Sequence, residues 1–281
     1  MMITGSGMVA SALVEAAGLH GWDALIYGHE WLDVTDAAAV RRLAIDVRPD
    51  MIVHTAALTK VNYCEENEAE AMRVNRDGTA NVLAAAEDLG ASLVYLSTDY
   101  VFDGTAEDGW LEGAAPAPLN AYGRSKLAGE ELVRGYGGGI VVRTSGVFGP
   151  VPDGSERNFF KAIAEKLAAG DEAIPVVADQ FTAVTYAPHL ARMLLSLLPD
   201  PPARLIHLTS RGADSWHGWA GRVAQVLGKD ASRLTPAVTE DLPGQTVRPR
   251  QSVLTSKYPA VSKQVGLYPA QMGIEAYFAA M

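Results

Sequence analysis

Tyr122 and Lys126 stand four residues apart in the run Tyr122-Gly123-Arg124-Ser125-Lys126. On a helix, that spacing puts both side chains on one face. A free phenol titrates near ~10 and exchanges protons poorly at neutral pH. An ammonium held beside it favours the phenolate and brings the pair into the working range of an acid–base catalyst. Such a phenol can hand a proton to a carbonyl oxygen. The pair alone is a common coincidence, equally at home on a solvated helix, but a second group stands with it. The apolar run Leu93–Leu96 leads into Ser97-Thr98-Asp99. If that run is a parallel strand, its carboxyl end is where ligands are met. A hydroxyl there can hydrogen-bond the carbonyl and orient it; Thr98 is the first choice and Ser97 its rival, with a loop cap as the plain alternative.

The second constellation is Gly5-Ser6-Gly7-Met8-Val9-Ala10, a match to G-x-G-x-x-G/A between a strand-like and a helix-like segment. The first glycine permits the tight turn and the second lets the backbone approach a pyrophosphate. The small third residue lets helix and strand pack closely. Gly5, Gly7, Met8 and Val9 are therefore candidate dinucleotide-binding positions, with the helix N-terminus offering free N–H groups to the phosphates. The partner chemistry for Tyr122 is then hydride transfer from NADP(H) or NAD(H), and Lys126 can also hold the nicotinamide ribose. After the next strand, Glu30 could bind ribose hydroxyls or stand in solvent. Asp33 could face the adenine or cap the helix that follows.

These residues need a frame, and the first 150 residues supply one by alternating short apolar runs with helical patterns. Strand candidates are Met1–Thr4, Ala24–Tyr27, Asp50–His54, Ser92–Leu96 and Ile140–Arg143. Between them lie helical patterns at Gly7–Gly18, Thr35–Val47 (capped by Asp33 or Thr35), Asn67–Leu89 and Ala121–Arg134. Strands that are apolar throughout, separated by helices, mean a parallel sheet covered on both faces, and right-handed crossovers make it doubly wound. The fold class expected is α/β, a doubly wound Rossmann-type sheet over residues 1–150 with a smaller C-terminal substrate-binding lobe over 151–281. Some segments, about 174–210, are expected to return to the first domain. In the second half Asn158–Ala169, Pro188–Leu198 and Trp216–Leu227 read as helices and Arg204–Leu208 as a strand, while the tail from Pro243 reads as loop. Trp216 and Trp219 read as core, and His189 as a surface or cap residue.

Ser97-Thr98-Asp99-Tyr100-Val101-Phe102-Asp103-Gly104, followed by Pro118-Leu119-Asn120-Ala121-Tyr122-Gly123-Arg124-Ser125-Lys126-Leu127-Ala128-Gly129-Glu130, resembles the dTDP-4-dehydrorhamnose reductase family. The likeness continues in His54-Thr55-Ala56-Ala57, in Val61-Asn62-Tyr63-Cys64-Glu65 and in Asn75-Arg76-Asp77-Gly78-Thr79. It returns in Asp179-Gln180-Phe181, in Ile206-His207-Leu208 and in Arg248-Pro249 with Ser252 and Leu254, so it spans nearly the whole chain. The resemblance implies a two-lobed enzyme that reduces the 4-keto group of a dTDP-6-deoxyhexulose with NADPH or NADH. It implies Thr98, Tyr122 and Lys126 as the catalytic set, with Ala56, Ala57 and Thr59 along the nicotinamide ribose. Asp99 and Tyr100 would lie near the sugar, and Asn158 and Phe159 near the nucleotide diphosphate, the plain alternative for Asn158 being a helix cap. Two departures stand out. The glycine turn is one residue shorter than the family's usual form and ends in Ala10. Gly146, in Arg143-Thr144-Ser145-Gly146, occupies a position where these reductases commonly carry a tryptophan against the sugar.

Other functions on the same frame are a nucleotide-sugar epimerase and a dehydratase; the latter wants a second carboxylate after Asp99, where Tyr100 stands. A third is a non-catalytic dinucleotide-binding subunit resembling the methionine adenosyltransferase β subunit. The bulk numbers narrow the field. A net charge of −10 and a pI near 5.1 lack the basic footprint of nucleic-acid binding. No segment approaches the ~20 apolar residues of a membrane span. Cys64 is the only cysteine, which rules out an internal disulfide and fits a reducing, cytoplasmic compartment. No His/Cys/carboxylate spacing points to a catalytic zinc. The expected partner is a small nucleotide-sugar, with no nucleic acid and no membrane, and the chain is expected as a monomer or homodimer.

Overall fold

A computed structural model describes residues 1–151, 158–170, 173–241 and 246–281. In the first half, β1 (Met2–Thr4), α1 (Met8–Leu19), β2 (Leu25–Tyr27), α2 (Ala37–Val47), β3 (Met51–His54), α3 (Val61–Glu66), α4 (Glu68–Met72), α5 (Gly78–Leu89), β4 (Ser92–Thr98), α6 (Ala121–Gly135) and β5 (Gly139–Thr144) follow in order. The second half holds β6 (Val147–Phe148), α7 (Phe159–Ala169), β7 (Ile174–Val177), β8 (Phe181–Thr182), β9 (Thr185–Tyr186), α8 (Ala187–Leu197), β10 (Leu205–His207), β11 (Asp214–Ser215), α9 (Trp216–Val226), β12 (Leu234–Ala237), α10 (Pro259–Leu267) and α11 (Ala270–Ala279).

Six strands form one parallel sheet in the order β10-β5-β4-β3-β1-β2. The order reverses between β1 and β3, and in such sheets ligands enter the crevice outside the carboxyl ends at that reversal. The α/β reading is correct, and the central strands β4 and β5 are buried at every residue but Ser92 because helices cover both faces. On one face α1 presents Ala10, Leu13, Ala16 and Ala17, an i, i+3, i+6, i+7 stripe whose small side chains let the helix sit close to the sheet. They share a cluster with Val53, Val94, Val142 and the α8 residues Leu190 and Leu194. On the other face α2 and α5 bury Val40, Ala44, Val82 and Ala86 against Met2, Ile52, Leu93 and Val141. A separate apolar cluster gathers Phe148, Phe160, Ile163, Trp219, Val223, Ile274 and Tyr277. β7 pairs with β12 beside it, whereas β10 joins the main sheet.

Four expectations need correction. The single helix over Asn67–Leu89 is three pieces: Asn67 stands outside it (φ −133°, ψ 53°, neither helical nor extended), and residues Arg73–Asp77 form a π-helical turn between α4 and α5. Asp36, rather than Asp33 or Thr35, caps α2, accepting from the Ala38 and Ala39 N–H groups at 3.0 Å each. The tail is not all loop, because Pro259 opens α10 and Pro269 caps α11, positions where a missing N–H costs nothing; Pro243 lies outside the described residues. His189 is buried, its ring between those of Tyr186 and Tyr268. Among the described residues no helix is long and apolar enough to cross a membrane, and no cluster of His, Cys, Asp and Glu is arranged to hold a metal ion.

Candidate active site

β4 runs two residues further than its apolar core and ends on Thr98, in register with Thr144 of β5. Successive strand residues face opposite ways, and this separates the two hydroxyl rivals. Ser97 points beneath the sheet, donating to Glu130 Oε1 at 2.5 Å. Thr98 points into the crevice, donates to Asp99 Oδ1 at 3.0 Å and accepts the Tyr100 N–H at 3.2 Å. Its hydroxyl also acts on the Tyr122 phenol, favouring the ionised form.

Tyr122 and Lys126 lie on the first turns of α6, which Asn120 starts by accepting the Gly123 N–H at 2.9 Å. Gly123 is obligatory there: a Cβ would fall 2.2 Å from the Tyr100 carbonyl oxygen. Burial acts on the pair in opposite senses. It pushes the Tyr122 phenol above its usual value, against the Thr98 hydrogen bond, and pulls the Lys126 ammonium down to about 7. Within the protein alone, then, desolvation outweighs any help the lysine gives the phenolate, contrary to the simple expectation. A phenol kept protonated is what a proton donor requires. Lys126 Nζ sits 4.0 Å from the centre of the Tyr95 ring, and Glu130, one turn on, pulls its pKa back up.

Glu130 belongs to a buried network that the sequence reading missed. Arg143 donates to both of its oxygens, at 2.8 and 2.6 Å, with both side chains fully buried. Asn75, on the π turn, is also fully buried. It accepts the Leu58 N–H at 2.7 Å, and donates to the Leu58 carbonyl and to Ser125 Oγ, at 2.9 Å each. It thereby ties the loop after β3 to the Tyr122 helix. A spacing of four from Lys126 was the available signal for Glu130. Asn75 had none beyond the likeness, because a π turn leaves no mark in hydrophobic periodicity.

Two cavities meet at the glycine turn. One, of about 310 Å³, is bounded by Gly7, Met8, Val9 and Ala10 on one side and by Thr98, Asp99, Tyr122, Lys126 and Gly146 on another, with Ala57 and Thr59 between. The second, of about 520 Å³, runs the other way from Gly5 and Gly7 past Ala56 to His29, Leu32, Asp33 and Arg73. α1 starts at Gly7 with no side-chain cap, so its first N–H groups are free, and a Cβ on Gly7 would meet nothing within 4 Å. A ligand with two arms and an anionic middle fits this shape. Gly5 has φ +102°, and a Cβ there would collide with the Ala56 N–H at 2.9 Å. Asp33 lines the second cavity while accepting from the Thr35 N–H and hydroxyl, which hold its carboxyl below the usual range.

A third cavity of about 210 Å³ opens beyond Thr98, Asp99, Tyr122 and Gly146, and is closed by Tyr100, Gln180, Trp216 and Ser252 among others. Asp99 is buried, its carboxyl pushed up to about 6, and its Oδ2 has no hydrogen-bond partner among the described residues; nor has Thr144 Oγ1 in the adjoining cavity. Trp216, expected in the core, is half-buried: it packs against the cluster that holds Trp219 and also faces this space, whereas Trp219 is core as expected. Asn158 is not brought to these cavities' walls. It caps α7 through the Lys161 N–H and donates to the Tyr277 hydroxyl at 3.0 Å.

The comparisons with known proteins agree with one another. The family described as RmlD substrate binding domain matches residues 1–280. A dTDP-4-keto-6-deoxy-D-glucose reductase of Streptomyces niveus is 35% identical over 257 residues, covering 90% of this chain and 87% of that protein. A dTDP-4-dehydrorhamnose reductase of Mycobacterium tuberculosis is 35% identical over 281 residues, covering 96% and 88%. The crystal structure of the Bacillus anthracis dTDP-4-dehydrorhamnose reductase in complex with NADP superposes with a TM-score of 0.90 at 31% identity, over all of this chain and 98% of that one. With the match running from the first residue to the last but one, the chain belongs to the RmlD substrate binding domain family.

Proposed function

We propose that this protein is an NAD(P)H-dependent oxidoreductase that reduces the 4-keto group of a dTDP-6-deoxy-hexulose. The observation that carries the reading is the convergence of Thr98, Tyr122 and Lys126 on the cavity that begins at the uncapped end of α1. Relatives at 35% identity are named for this chemistry, and a structural neighbour was solved with NADP.

The two cavities flanking Gly7 fit a dinucleotide. Gly5, Gly7, Met8 and Val9 would hold its pyrophosphate, Asp33 its adenosine end, and Ala56, Ala57 and Thr59 its nicotinamide ribose. Bound there, it supplies the hydride. The protein's own work is proton transfer and positioning. Thr98 and Tyr122 hydrogen-bond the ketone oxygen, and Tyr122 delivers its proton as that oxygen gains charge. Lys126 supports the phenolate left behind and the ribose. Asp99, Tyr100 and Gly146 form the sugar side, and the group around Phe148, Phe160 and Trp219 serves as a substrate lobe over the later part of the chain.

Tyr122→Phe tests the assignment. Turnover of dTDP-4-keto-6-deoxyhexoses, followed by loss of NADPH absorbance, should fall by about 10²–10⁴-fold, with NADPH binding retained. Near-normal turnover in the variant would remove Tyr122 from the mechanism.

A further inference from the structure

Gly146 has φ +52°, and a Cβ built on it would lie 2.7 Å from the Ala183 carbonyl oxygen and 3.1 Å from Val184 Cα. Those contacts are backbone, fixed by the pairing of β6 with β9 and by the Thr185 N–H donated to the Gly146 carbonyl. No side chain can therefore line the cavity from position 146 without moving the sheet beside it. Yet the cavity is not bare. Trp216 enters it from α9, held by a backbone N–H donated to the Gln180 carbonyl at 3.2 Å. Its indole rests on the Phe159 ring, 4.7 Å between centres. The N-cap Ser215, accepting the Gly218 N–H, fixes where that first helical residue stands.

The indole N–H sets Trp216 apart from its buried neighbours. Trp110 donates to the Gln251 carbonyl and Trp219 to the Thr182 carbonyl. Trp216 Nε1 makes no hydrogen bond among the described residues, and the ring is half-buried. Tryptophans of this kind, apolar on the face and wet at one edge, serve recognition. Across the same cavity Asp99 Oδ2 is buried and makes no hydrogen bond of normal geometry among the described residues, although the Ser252 and Thr182 hydroxyls act on the carboxyl. An aromatic face and a carboxylate oxygen with room for another donor are what a hexose ring asks for: one to cover its C–H face, the other to take a hydroxyl.

We propose that Trp216 is a specificity-determining residue for the sugar, forming the wall of its cavity from the α9 side because Gly146 leaves none. The inference rests on the sugar-nucleotide reductase reading above. Trp216 touches substrate and not cofactor, so it acts on sugar KM alone.

In kinetics with a dTDP-4-keto-6-deoxyhexose, Trp216→Ala should raise the sugar KM about tenfold and leave the NADPH KM unchanged. Trp216→Phe should restore most of the loss. A sugar KM unchanged in Trp216→Ala overturns the proposal. A second readout needs no turnover. dTDP-glucose, added with NADP⁺ present, should quench the emission of the wild-type chain, and the quench should vanish in Trp216→Phe, where four of the five tryptophans remain. A quench that persists in that variant, or no binding of dTDP-glucose by the wild type, also overturns it. A wild type that quenches but turns over no ketosugar instead overturns the reductase reading and leaves the wall standing.

Discussion

Lys126 is a buried ammonium whose pKa burial has lowered to about 7, and the group that resists the fall is Glu130 one helical turn away. Glu130 is itself committed to Arg143 with both side chains at zero exposure, so one carboxylate serves stability and the charge of Lys126 together. Glu130→Gln separates the two effects. It keeps an acceptor for Ser97 but strands the guanidinium, and breaking such a buried pair costs about 3–5 kcal/mol, to be read in urea unfolding. The surviving fold should also lose activity at lower pH than the wild type. With the negative charge gone, Lys126 releases its proton more readily, and the alkaline limb of kcat/KM moves toward acid. A variant that is less stable but has an unmoved alkaline limb would show that Glu130 serves the core alone.

The π turn at Arg73–Asp77 does for the site what no side chain could do alone. One residue extra in the helical ladder rotates Asn75 inward, where its amide closes a double hydrogen bond on Leu58 and reaches Ser125. Asn75→Ala should lower stability by about 1–3 kcal/mol, since it leaves the part-buried Leu58 N–H unpaired and the Leu58 carbonyl with the Cys64 thiol alone. It should also raise the NADPH KM by loosening Ala56–Thr59 relative to α6; an unchanged KM would make Asn75 a structural residue only. The elements that read clearly from the sequence were those whose reason is local. Apolar strands, the Gly5 turn and the helix opened by Asn120 needed only period, cap and glycine. Those that did not read clearly depend on distant parts: the π turn, the two proline-opened helices of the tail, and the cavity facing of Trp216, whose helical spacing from Trp219 suits a core face as well as a wall. The site positions expected from the glycine turn and from the likeness fall round three joined cavities, apart from Phe159, which lines none of them, and Asn158, whose side chain is spent on α7 and Tyr277. At Gly146 the sequence exposed the missing side chain but not its cause, because the positive φ and the Ala183 carbonyl belong to chain contacts thirty-odd residues away.

Across the whole molecule, three histidines are buried as neutral rings, and they set how the fold meets acid. His54 at the end of β3 lies between the Thr4 and Thr79 hydroxyls, at 2.6 and 3.1 Å, and burial lowers its pKa from 6.5 to about 3. Burial likewise lowers His189 and His207 to about 4, helped by Arg192 and Arg143 respectively. In each case the unfolded chain binds the proton first. Between about pH 6.5 and the folded values, stability therefore falls as the pH falls. Asp99 opposes this over a narrower window. Its carboxyl is raised from 3.8 to about 6, so the folded state holds the extra proton there. Three groups shifted by more than two units outweigh one shifted by about two, and the melting temperature should drop by about 5 °C or more between pH 7 and pH 5. His54→Gln, which can still bond both threonines, should flatten that slope without abolishing it. Melting curves that coincide at the two pH values would mean that one or more of these rings is protonated in the folded protein, and the buried His54 would then need a counter-charge that the described residues do not provide.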